Sequence, residues 1–170
     1  PTDMLFHTII HGVPWNRVSP IRWIADALHL INATNHKIDW QRLINTVRQH
    51  LYCMRLKVGL AYLRDNFHPF IPADVMSTVE NLPVTYLELM ENRFWIGNRE
   101  SRNKSPYTAL CANLCQYLRV SNRNGFYATL GVPHFLQWRL EAKSYPELLF
   151  NGMRLTMEMI LAKPFKVPPR

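Results

Sequence analysis

Between Ile21 and Ile31 the chain reads IRWIADALHLI, and this stretch constrains the fold more than any other. At about 100° per residue, Arg22, Asp26 and His29 fall on a single helical stripe, because residues three and four apart share a face. The apolar residues Ile21, Trp23, Ile24, Leu28, Leu30 and Ile31, with Ala25 and Ala27, cover nearly all the rest. A helix that is apolar over most of its circumference is expected near the centre of its fold. Its one polar stripe must then meet a partner, a ligand or water.

The same period governs the flanking segments. Thr2 is placed to cap a first helix with Asp3 at its positive end, and Gly12 is expected to stop it. Leu5, Phe6, Ile9 and Ile10 form its packing face and leave His7 and His11 together on a flank. Ser19-Pro20 opens the second helix, whose pattern breaks between Asn32 and Lys37. Asp39 caps a third helix with a stripe at Trp40, Leu43, Ile44, Val47 and Leu51. A fourth runs from Cys53 to Asn66, where Gly59 implies a close helix crossing. Ile71-Pro72 starts a short fifth helix, and Thr85 to Glu88 is a capping box for a sixth that reaches about Trp95, with Val84 placed to staple onto Leu89.

GNRESRNKS, from Gly97 to Ser105, has the composition of a loop. Ser105-Pro106 begins a seventh helix with Leu110, Leu114, Tyr117 and Leu118 inward. Val120 to Gly131 has no helical period, and its Asn124-Gly125 pair allows one short hairpin. Pro133 to Glu141 is helical again. Ser144 to Glu147 is a second capping box, opening a Met-rich helix to about Lys163 in which Met153, Met157 and Ile160 are expected to fill core. Residues 164–170 form an irregular tail. The expectation is a single all-α domain over residues 1–170, a compact bundle of eight or nine helices.

Composition narrows the function. The chain has 170 residues, 48% of them hydrophobic and 19% charged, which is a globular and not a disordered balance. Six glycines argue against phosphate-cradling loops. No run is long and apolar enough for a membrane span. Three cysteines suggest a reducing compartment, with cytoplasm as the default expectation. The first residue is Pro1, which suggests a fragment or a processed product. A net charge of +8 is concentrated in the second half, where Lys and Arg outnumber acids two to one. That leaves room for an anionic ligand. Nucleic acid is not expected as the main partner.

PTDMLFHTIIHG, IRWIADALHLI, IDWQRL, LAYLRD and IPADV together resemble the carboxy-terminal helical part of an uncharacterised family of nucleotidyltransferases in the polymerase-β-like superfamily. VPHFLQWRLEAKSYPELLFNGMRL is similar to the end of those proteins. In that family the catalytic core is an amino-terminal α/β domain with a Gly-Ser turn and two acids one residue apart, which bind the metal holding the nucleoside triphosphate. This sequence has no Gly-Ser dipeptide, and none of Asp3, Asp26, Asp39, Asp65 or Asp74 has an acid two residues on. The resemblance therefore implies a helical accessory domain on the substrate side of the cleft, whose principal partner is the missing catalytic domain. Mg²⁺ and the triphosphate are expected only with the full-length protein, and no metal or cofactor in this chain.

The candidate residues form two groups. His7, His11, Arg22, Asp26 and His29 make a polar cluster that is either a buried structural lock or a substrate-side surface. His7 and His11 stand at i, i+4, the spacing by which a helix presents two metal ligands, but a third ligand is not evident. Arg93, Arg99, Arg102 and Lys104, with Trp95 and Tyr107 beside them, make a candidate anion-binding group. Two other functions fit less well. One is a free-standing interaction or nucleic-acid-binding bundle. The other is a nuclease of the HEPN type, for which Arg22 and His29 have the loose spacing but Trp23 replaces the usual polar neighbour.

Overall fold

A computed structural model describes residues 1–15, 21–34, 37–100, 106–121 and 130–161. Among these the chain forms nine α-helices and no strand: α1 (Thr2–Trp15), α2 (Ile21–Thr34), α3 (Trp40–His50), α4 (Cys53–Phe67), α5 (Ala73–Glu80), α6 (Tyr86–Glu100), α7 (Pro106–Ser121), α8 (Val132–Arg139) and α9 (Tyr145–Leu161). The all-α bundle expected from periodicity is present. Residues 122–129, where a hairpin was allowed, and the tail at 164–170 lie outside the described residues.

The core is built by the first five helices. Leu5 and Ile9 of α1, Ala27 and Ile31 of α2, Val47 of α3 and Leu56, Leu60 and Leu63 of α4 are fully enclosed. α4 is the central helix. It packs against α1, α3, α5 and α6, whereas α2 packs chiefly on α1. The largely apolar α2 thus lies at the periphery, and Ile21, Ala25 and Ala33 reach solvent beside its polar stripe.

Local chemistry explains most of the helix ends. Asp39 Oδ1 accepts the Arg42 amide at 2.8 Å, the expected cap of α3. Thr85 Oγ1 accepts from the Glu88 amide at 3.3 Å while Glu88 Oε2 accepts from the Thr85 amide at 2.9 Å, a complete capping box. The staple partner Leu89 is exposed. At Ser144 half of the expected box forms, Ser144 Oγ accepting from the Glu147 amide at 3.4 Å, while the Glu147 carboxylate accepts one residue further back, from the Lys143 amide at 2.8 Å. α6 continues through the expected loop as far as Glu100, so the loop composition after Gly97 did not end the helix.

Two glycines set helix spacing. A Cβ on Gly59 would lie 2.7 Å from Ile9 Cγ2, so α4 crosses α1 closer than alanine permits, as the sequence suggested. Gly12 was expected to end α1 and does not. Its Cβ would lie 2.3 Å from Trp23 Cβ, so this glycine is the contact point between α1 and α2. Thr2 also departs from expectation. It is buried, and its Oγ1 accepts from the Asp39 amide at 2.9 Å, tying the start of α1 to the start of α3. Asp3 grips Arg42 Nη2 through both oxygens, at 2.9 and 2.7 Å.

Candidate functional site

The chain places its polar chemistry at two levels, one on the surface of α1 and α2 and one inside the bundle. On α1, His7 and His11 are exposed on successive turns with ring centroids 4.3 Å apart. Burial of part of the ring, the neighbouring His7 and the Arg55 guanidinium together hold His11 below the ordinary imidazole value. On α2, Arg22, Asp26 and His29 are all exposed. The buried lock is therefore corrected. Among the described residues no ion pair joins Arg22 to Asp26, and the three side chains form a solvent-facing stripe on a helix whose other faces hold Ile24, Ala27 and Ile31. The stripe is peripheral because α2 lies on the outside of α1 and the central position belongs to α4.

The buried polar group is built from residues that periodicity did not single out. Arg55 on α4, Glu91 on α6 and Arg119 on α7 are almost completely enclosed. Arg55 Nη2 pairs with Glu91 Oε1, and Arg119 holds Glu91 Oε2 through Nε at 3.1 Å and Nη2 at 2.9 Å. One carboxylate thus bridges two guanidiniums from different helices. Tyr52 lies under both, with the Arg119 carbon 4.4 Å and the Arg55 carbon 5.1 Å from its ring centroid. A second enclosed carboxylate, Glu88, accepts from the Met54 amide at 3.1 Å and from Thr85. The four groups balance to zero formal charge, as burial requires.

Each arginine also completes a backbone. The Ile10 carbonyl in α1 would normally accept from the residue four ahead, but that residue is Pro14, which has no N–H. Arg55 Nη1 supplies the missing donor at 2.9 Å. α3 ends at Leu51, in the left-handed region at φ 57°. Arg119 Nη1 donates to the carbonyls of Leu51 at 2.6 Å and His50 at 3.2 Å, where the negative end of the helix dipole favours a cation. Pro14, four residues beyond Ile10 within a helical pattern, was the sequence signal for an unsatisfied carbonyl. The long range of Arg119 left no local signal at all.

The cavity between these groups has a volume of about 40 Å³ and is lined by Tyr52, Arg55, Glu88, Glu91, Asn92, Trp95 and Arg119, with apolar neighbours. That is room for water and far below the hundreds of Å³ of a small-molecule site. The buried network is therefore an internal brace. Burial pushes the thiols of Cys53, Cys111 and Cys115 up, which leaves them weak nucleophiles at neutral pH.

Arg93 is exposed on α6. The Arg99 side chain and all of Arg102 and Lys104, the rest of the candidate anion-binding group, lie outside the described residues. Among the described residues there is no group of three or more His, Cys, Asp or Glu placed to hold a metal ion. Nor is any helix among them long and apolar enough to cross a membrane. No known family profile, curated protein or solved structure matches this chain.

Proposed function

We propose that this chain is the helical, substrate-side domain of a nucleotidyltransferase-like protein, with the Arg22–Asp26–His29 stripe facing a catalytic α/β core. One observation carries the reading: the stripe is exposed on an otherwise apolar helix, where neither folding nor α1–α2 packing requires it. A guanidinium so placed can hold a phosphate or carboxylate by two parallel hydrogen bonds. Asp26, one turn on, can orient that guanidinium, and His29 can donate or accept at the edge of the same surface. His7 and His11 extend the polar surface onto α1. Metal and nucleoside triphosphate belong to the core, and this chain supplies binding and orientation only.

The test begins with the gene that encodes the sequence. A Gly-Ser turn followed by two acids one residue apart is expected in the same protein or in a co-encoded partner. In the assembled protein with Mg²⁺ and nucleoside triphosphates, Arg22→Ala and Asp26→Ala are each expected to slow transfer about tenfold or more through misplacement of the acceptor. Thermal stability should change little, since both side chains are exposed. Absence of any such core, or transfer indifferent to both substitutions, sinks the proposal.

A further inference from the structure

α9 carries an apolar surface that nothing among the described residues covers. Tyr145, Leu149, Phe150, Met153 and Met157 are between 59% and 71% exposed. The sequence pattern suggested that Met153, Met157 and Ile160 fill core; for Met153 and Met157 that expectation is overturned, and the Ile160 side chain lies outside the described residues. α9 touches α8, which itself meets α7 through the stacked rings of Tyr117 and Phe135, 4.5 Å apart. Among the described residues the α8–α9 hairpin thus holds α9 to the bundle by one side and leaves this face exposed. Large exposed apolar patches in globular proteins mark interaction surfaces.

The spacing along this face identifies what fits it. Pro146, Phe150, Met153 and Met157 follow one another at intervals of four, three and four, the a/d spacing of a coiled-coil seam, and Ile160 continues it in sequence. The two charged residues immediately flanking the seam are Glu147 and Arg154, both at the position that follows d. In an antiparallel pair of identical helices, Phe150 faces Met153 of the other copy and Pro146 faces Met157. Glu147 of one copy and Arg154 of the other then lie between the same two layers. The twofold axis repeats the pairing, so both opposite-charge contacts form together. A parallel pair would set Arg154 beside Leu149 and Glu147 beside Ala142, and lose both contacts. The antiparallel arrangement also opposes the helix dipoles favourably.

We propose that α9 is a self-association surface, on which a second copy of the chain seats its own α9 antiparallel over residues 146–157. The interface is isologous, with four apolar layers flanked by two Glu147–Arg154 pairs. It is independent of the transferase reading.

Sedimentation equilibrium of the full chain over a wide concentration range tests the pairing. A reversible monomer–dimer equilibrium is expected. Met153→Glu should weaken it about tenfold or more while leaving helicity and the thermal midpoint of the monomer unchanged. Glu147→Arg should weaken it as well, and Glu147→Arg combined with Arg154→Glu should restore it. A monomer at every concentration overturns the proposal and assigns the face to a different molecule. A dimer indifferent to Met153→Glu, or a double variant no tighter than Glu147→Arg alone, overturns it equally.

Discussion

Glu91 holds two buried guanidiniums at once. Glu91→Ala leaves Arg55 and Arg119 enclosed without their counter-charge. Removing one partner of a buried pair typically destabilises by about 3–5 kcal/mol. Urea unfolding should show a loss of that size, whereas Asp3→Ala, which breaks the exposed pair with Arg42, should cost about 1 kcal/mol or less. Equal losses at the two sites would contradict the burial argument. His11 provides a second prediction. Its folded-state value is lowered, so below about pH 6.5 the unfolded chain binds more protons than the folded one. Stability from this group is therefore complete above that value and declines as pH falls through it. The decline should be shallower in His11→Gln, read from unfolding midpoints across the acid range.

At the scale of elements, the two crossing glycines separate local propensity from packing. Propensity alone predicts that alanine inside a helix is favoured over glycine by about 1 kcal/mol. Packing predicts the opposite at both positions. At Gly12 the new methyl meets Trp23 Cβ, which cannot move without its helix, and at Gly59 it meets the enclosed Ile9 side chain. Gly12→Ala and Gly59→Ala should each destabilise by about 1–3 kcal/mol in thermal unfolding. A stabilising result at Gly12 would contradict the close contact with Trp23. Asp39→Ala should lose about 1 kcal/mol, the worth of one helix cap. The starts of α3 and α6 were legible because each cap acts over three residues, Asp39 on Arg42 and Thr85 on Glu88. The exit from α1 was not, because Gly12 serves a partner eleven positions away.

For the whole molecule, the distribution of core predicts the distribution of stability. The enclosed apolar cluster spans Leu5 to Leu82, while α8 has no fully buried residue and α9 turns its apolar face outward. Amide hydrogen exchange should accordingly be slowest in α1, α3 and α4 and faster in α8 and α9. The same contrast marks what each level of description could decide. Period and capping chemistry determined by themselves that this chain is all-α, where most helices begin, and which faces of α1, α3, α4 and α5 are apolar. These properties depend on neighbours within one or two turns. Tertiary structure alone decided that α4 and not α2 is central, that Arg22, Asp26 and His29 face solvent, and that Arg55, Glu91 and Arg119 meet. An apolar helix face can be buried by its own fold or by another molecule, and period is the same in both cases. A buried ion network is set by side chains from separate helices, whose meeting no local pattern encodes.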